Sequence, residues 1–142
     1  MDRKAEARWN GGLKGGNGNL KVGSGAFSGP YSFASRFESG GGTNPEELLG
    51  AAHAGCYSMA LSAALERAGH PATSVTTTAT VHLTKGDAGF SISGIDLVTR
   101  GVVPGVSEAE FKKFAEDTKT GCIVSRALSA VPMTLDAKLE TA

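Results

Sequence analysis

The stretch Asn44-Pro45-Glu46-Glu47-Leu48-Leu49-Gly50-Ala51-Ala52-His53-Ala54-Gly55-Cys56-Tyr57-Ser58-Met59-Ala60-Leu61-Ser62-Ala63-Ala64-Leu65-Glu66-Arg67-Ala68-Gly69 decides the architecture. It opens as a helix should. Asn44 is an N-cap, Pro45 suits the first helical position, and Glu47 falls at N3 to complete a capping box. Gly69-His70-Pro71 supplies the stop. From Leu48 to Leu65 no residue carries a formal charge, and that length reaches the minimum of a bilayer span. The membrane reading is rejected, because alanine, glycine, His53 and two serines make the transfer into lipid weakly favourable. A helix apolar on all sides is instead expected to be central and buried, its small residues letting other backbones approach closely.

Outward from this helix the pattern is that of short strands. Glycine crowds the segment before it, and Gly11-Gly12, Gly15-Gly16-Asn17-Gly18 and Gly40-Gly41-Gly42 read as turns. Ala5, Ala7 and Trp9 alternate with polar neighbours, and Phe33, Ser35 and Phe37 alternate with Ala34, Arg36 and Glu38, so both stretches read as strands. After the helix, Val75, Thr77, Ala79, Val81 and Leu83 form one face of a strand. A hairpin turn at Gly86-Asp87-Ala88-Gly89 follows. The return strand changes phase at Gly94, which predicts a bulge. Ser107 and Glu110 form a second capping box, with Phe111, Phe114, Ala115 and Thr118 as the buried stripe. Gly121 ends that helix immediately before Cys122. A short helical turn from Ser125 to Leu128 leads to a last alternating strand, Met133 to Leu139. The fold class is α+β, and residues 1–142 are read as a single domain.

Composition narrows the functional classes. Hydrophobic residues make up 40% of the chain, enough for a core. Fourteen basic residues balance fourteen acidic ones, whereas a nucleic-acid binder normally shows a basic excess. Two cysteines are too few for a disulfide scaffold or a four-cysteine zinc site. No apolar segment follows Met1, so the expected compartment is the cytoplasm. No glycine cluster forms a phosphate cradle, and no cofactor is called for.

The residues able to carry chemistry cluster near the central helix. Cys56 is either a small core residue or a reactive thiol, and its neighbours Gly55 and Ala52 leave space beside the sulfur. His53, three residues earlier, is either a satisfied core histidine or a base for a Cys56 nucleophile, as in a hydrolase. A zinc site on His53, Cys56 and Cys122 would need His70 or His82 as further imidazoles and is disfavoured. Arg36, opposite Phe33 and Phe37 on its expected strand, faces solvent or reaches into a pocket. Glu47 has a structural task at N3, which leaves Glu46 either solvated or free to hold an arginine in place. A structural protein with two inert thiols is the third possibility.

Arg36-Phe37-Glu38, followed by Gly42-Thr43-Asn44-Pro45-Glu46-Glu47-Leu48-Leu49-Gly50-Ala51-Ala52-His53-Ala54-Gly55-Cys56, closely resembles the OsmC family and its sister group, the organic hydroperoxide resistance (Ohr) proteins. The resemblance runs from the Trp9 strand to the C-terminal strand. Its most specific element is the Asn-Pro-Glu-Glu-Leu helix start with a cysteine ten residues after the first glutamate. It implies the OsmC-like fold, with antiparallel sheets around a long central buried helix in an intertwined homodimer. It also implies a thiol-dependent peroxidase acting on organic hydroperoxides, and less well on hydrogen peroxide. By resemblance Cys56 is the peroxidatic cysteine, Cys122 the resolving cysteine, Arg36 the active-site arginine and Glu46 its partner. Ile123 stands where the family commonly has proline.

In the implied cycle Cys56 is oxidised to a sulfenic acid, Cys122 condenses with it, and an external dithiol reduces the disulfide. Phe33, Phe37, Tyr57, Met59, Phe111 and Phe114 are candidates for an alkyl pocket or for core. Glu46 and Cys56 are ten residues apart on one helix, about 15 Å of rise, too far for one arginine to link easily. An obligate homodimer is therefore expected, with Arg36 and Glu46 of one chain serving Cys56 of the other.

Overall fold

The computed structural model describes residues 1–141. The chain forms two compact units, Met1–Leu48 and the remainder from Leu49. The first begins with an antiparallel meander, β1 (Ala5–Asn10), β2 (Asn17–Val22) and β3 (Ser28–Tyr31), in the order β1-β2-β3. Register places Gly18 opposite both Trp9 and Tyr31. Their rings meet at 5.3 Å between centroids. A side chain at position 18 would collide with the Tyr31 ring and the Arg8 carbonyl, so glycine is what lets Tyr31 lie over the strand.

Residues Phe33–Phe37 are helix α1, not the strand their alternation predicts. Phe33 and Phe37 are four apart, a spacing that puts two residues on one face of a helix and equally on one face of a strand. The cap settles the matter. Ser35 N–H donates to Ser32 Oγ at 3.0 Å, and Ser32 N–H donates to Ser35 Oγ at 2.9 Å. Ser35 Oγ also donates to the Thr43 carbonyl at 2.8 Å, which ties α1 to the segment entering the long helix. Arg36 consequently sits in the last turn of a helix, beside the Phe33–Phe37 ring pair rather than opposite it.

The long helix α2 spans Pro45–Arg67. Glu47 N–H donates to Asn44 Oδ1 at 2.8 Å, as the N-cap requires. The Glu47 carboxylate accepts from Thr43 Oγ1 at 3.0 Å instead of closing back on the cap residue. At the far end Gly69 has φ +87°, with His70 N–H donating to the Leu65 carbonyl at 2.9 Å and Gly69 N–H to that of Glu66 at 3.0 Å. These two bonds form a Schellman stop.

In the second unit, β4 (Ser74–Gly86) and β5 (Gly89–Val102) form the expected hairpin, and the expected bulge lies where His82 pairs with Gly94 and Leu83 with Ile92. The helix α3 (Glu108–Gly121) carries the Ser107–Glu110 capping box, and α4 (Ile123–Ala127) follows Cys122 directly. The last strand β6 (Met133–Glu140) departs from the expected antiparallel sheets, because it pairs with β5 in parallel. The α3–α4 segment lets the chain return to the start of the sheet before β6 begins, and a parallel pair needs such a crossover.

The core joins Tyr57, Leu61 and Leu65 of α2 to Ile95 and Leu97 of β5, Phe111 and Ala115 of α3, and Cys122. Tyr57 Oη donates to the Ala115 carbonyl at 2.8 Å. Burial of α2 within one chain is confined to Glu46 in its first turn and the stripe Gly50, His53, Tyr57, Leu61 and Leu65. Ala51, Ala52, Gly55 and Met59 face outward, Met59 with 76% of its surface exposed. The helix is thus central to its unit, but one chain alone does not bury it on every side.

Candidate active site

Cys56 projects from the middle of α2, and Cys122 is at once the C-cap of α3 and the N-cap of α4. Their Sγ atoms share a hydrogen bond at 3.0 Å. This is longer than the ~2.05 Å of a disulfide, so the two are thiols in contact. They differ in access. Cys56 is half-buried, whereas Cys122 is 1% exposed. An incoming molecule meets Cys56 first.

The two sulfurs titrate as a pair. Burial and the neighbouring Cys122 sulfur push the Cys56 thiol up, against weaker help from the N–H groups of Val124 and Ile123. Burial also opposes ionisation of Cys122, but the neighbouring Cys56 sulfur, the N–H and hydroxyl of Ser125 and the Val124 N–H favour its anion and bring its thiol below the ordinary value. Among the described residues, no cation is among the groups that act on the accessible sulfur within this unit. Ile123 contributes an N–H that a proline in its place would not have.

His53 is fully buried, and its Nε2 lies 2.7 Å from Ser125 Oγ. Burial pushes its imidazole down, so it is neutral at ordinary pH. Its hydrogen bond to Ser125 makes it a paired core histidine, and Cys56 is paired with Cys122 instead. Ser125 is the residue that sequence reasoning missed. Its only signal was its position three residues after Cys122.

A pH effect on stability follows from His53. Unfolding restores the ordinary affinity of its imidazole for a proton, which the folded state suppresses. The stabilisation is thus complete above the ordinary value of 6.5 and is lost as pH falls toward the lower folded value. Thermal unfolding midpoints measured between pH 8 and about 5 should fall on the acid side. The fall should be shallower in His53→Gln than in the parent chain.

The first unit holds the other two candidates. Arg36 Nη2 donates to Glu46 Oε1 at 2.7 Å, while Nε lies 3.2 Å from both carboxylate oxygens. Glu46 is 7% exposed, so it is not the solvated first-turn acid that position N2 usually carries. α1 and the start of α2 bring the pair together, and the Arg36 guanidinium also lies 5.1 Å from the Phe37 ring centroid. Among the described residues, Arg36 Nη1 has no partner. Trp9, Leu13, Tyr31, Phe33 and Phe37 line a cavity of about 230 Å3 that Arg36 borders. Of the other apolar candidates, Tyr57 and Phe111 are core, Phe114 packs against the core, and Met59 is exposed.

The chain as a whole is similar to known proteins. Residues 38–136 match a family model described as OsmC-like protein. Over 142 residues the chain is 47% identical to Peroxiredoxin OsmC of Escherichia coli (strain K12), covering 99% of each chain. Among solved structures it is similar to an OsmC like protein from Mycoplasma pneumoniae (TM-score 0.76, 17% identity, 98% of this chain and 97% of that one). It is also similar to the organic hydroperoxide resistance protein OhrB of Bacillus subtilis (TM-score 0.71, 21% identity, 96% and 98%).

Proposed function

The chain belongs to the OsmC-like protein family, and from that membership we propose that half-buried Cys56 is the peroxidatic thiol and buried Cys122 the resolving thiol of a hydroperoxide reductase. The protein is a thiol-dependent peroxidase. The observation that carries the assignment is the 3.0 Å contact between two sulfurs of unequal access. The Cys56 thiolate attacks the terminal oxygen of the hydroperoxide and the O–O bond breaks. The alcohol leaves with a proton, and Cys56 becomes a sulfenic acid. Cys122 then displaces the hydroxyl as water and the disulfide forms. An external dithiol returns both thiols.

The cation that Cys56 lacks in its own unit is Arg36 of a second chain. Glu46 holds one edge of the guanidinium and leaves Nη1 for the thiolate or the peroxide oxygen. Three observations support assembly in trans. Glu46 and Cys56 are separated by about 15 Å of helix. The outward face of α2 is apolar at Ala51, Ala52, Gly55 and Met59. The accessible sulfur has a raised pKa without a cation. The aromatic cavity beside Arg36 suits the organic group of an alkyl hydroperoxide. The working unit is an obligate homodimer, and a reducing compartment such as the cytoplasm supplies the dithiol.

The test is time-resolved mass spectrometry after a single equivalent of an alkyl hydroperoxide. The expected record is a transient gain of one oxygen on Cys56, then loss of two hydrogens from the reduced chain as the Cys56–Cys122 disulfide forms. An acyl adduct on Cys56 with an ester substrate would instead identify a hydrolase. Two unreactive thiols would return the chain to a structural role.

A further inference from the structure

Two pairs of side chains, each spaced by three residues, face one another between α2 and the start of α4. His53 and Cys56 lie on one side, Ser125 and Cys122 on the other. The sulfurs meet at 3.0 Å and His53 Nε2 meets Ser125 Oγ at 2.7 Å. His53 is 0% and Ser125 4% exposed. Among the described residues, His53 Nδ1 is buried with no partner. A buried imidazole with an orphaned nitrogen destabilises a core that an apolar side chain would fill without that cost. Packing alone does not explain a histidine here.

We propose that His53 is a positioning residue for the resolving step: as the Nε2–H tautomer it donates to Ser125 Oγ, which turns the Ser125 hydroxyl proton toward Cys122 Sγ and stabilises that sulfur as a thiolate. The inference rests on the reading of Cys122 as the resolving cysteine. The neutral state of His53 fits it, because a neutral imidazole donates from one nitrogen only. Cys122 is the N-cap of α4 and Ser125 lies in its buried first turn, three residues on; the downward shift of the Cys122 thiol points the same way.

The chemistry needs no further reagent. The Cys122 thiolate attacks the Cys56 sulfur of the sulfenic acid, forming the S–S bond with its own electron pair. The S–O bond breaks, and the leaving hydroxide takes up the proton that Cys122 gave, so the products are a disulfide and water. Cys122 is oxidised, and the sulfenic sulfur is reduced to the disulfide level. Ser125 keeps its proton throughout and acts only as a donor to the anion.

The titratable groups around Cys122 are Cys56, with Arg67 and Asp117 at the rim of the adjoining groove. Tyr57 interacts electrostatically with both Cys122 and Glu116, and its hydroxyl donates to the Ala115 carbonyl. Lys119 and Arg126 border the cleft beside Ser125. Neither these groups nor His53 is altered in Ser125→Ala, so a displaced pH midpoint in that variant reports the Ser125 hydroxyl.

The experiment follows both phases after one equivalent of tert-butyl hydroperoxide is added to the reduced protein. Peroxide loss reports the first, and disappearance of a trappable sulfenic acid reports the second. In Ser125→Ala and His53→Leu the ratio of second-phase to first-phase rate should fall about tenfold near pH 7, and the pH midpoint of the second phase should rise by about a unit. Ser125→Thr, which keeps a hydroxyl, and His53→Gln, which keeps an N–H donor, should restore most of the ratio. An unchanged ratio and midpoint in Ser125→Ala overturns the inference, even if His53→Leu does not fold. So does failure of Ser125→Thr and His53→Gln to restore the ratio, which would mean that the pair acts by packing. A parent protein that forms no sulfenic acid on Cys56 overturns the peroxidase reading itself, and this inference with it; that failure shows in the parent before any variant is made.

Discussion

A Cys56→Ser protein should consume no hydroperoxide above the buffer background, a loss of at least about 10⁴-fold, as expected when a nucleophile is removed. A serine hydroxyl at this position has no activating base, because His53 is bound to Ser125. Cys122→Ser should behave differently. Its first turnover should proceed, after which Cys56 has no thiol to condense with and accumulates as sulfenic and then sulfinic acid. Quantifying peroxide loss against thiol oxidation separates the two. The converse outcome is physically available, since within one chain the Cys122 thiol is the one brought down. If Cys122→Ser alone prevents the first oxidation, the roles are reversed.

The second large effect belongs to Arg36. Arg36→Ala should slow the reaction with alkyl hydroperoxide by about 10²–10³-fold, the range for losing one preorganised charge-stabilising group. The Cys56 thiol should rise further in a pH titration of its alkylation rate. Arg36→Lys should recover only part, because an ammonium lacks the planar fork that engages Glu46 through Nε and Nη2 while holding Nη1 toward the site. Chain origin is tested by unfolding Cys56→Ser and Arg36→Ala proteins together and refolding the mixture. If Arg36 serves the partner's cysteine, one site of each heterodimer is wild type and activity returns. If it serves its own, every chain keeps a defect and nothing returns. A chain that is monomeric in solution removes the trans arrangement altogether.

The elements readable in advance share one property, which is that their determinants lie within a few residues. The caps of α2 and α3, the β4–β5 hairpin and its bulge are each specified by neighbours in the chain. At the site, the candidates Cys56, Cys122, Arg36 and Glu46 came from the resemblance, carried by residues 36–56 and the second cysteine. Chain spacing alone left His53 open between base and core residue.

By itself, then, the sequence determined the long capped helix and the strands after it, because i to i+4 contacts and alternation act locally. It misread α1, since Phe33 and Phe37 satisfy both periods and only the Ser32–Ser35 box breaks the tie. Alternation carries no direction, so the parallel pairing of β6 was decided by the crossover through α3 and α4. The contacts that define the cysteine site were decided by packing alone. Cys56 and Cys122 are 66 residues apart, and His53 and Ser125 are 72 apart. No local rule brings such pairs within 3 Å. The shared core of α2, α3 and β5 does, and it also removes the water that would otherwise set the proton affinities of these groups.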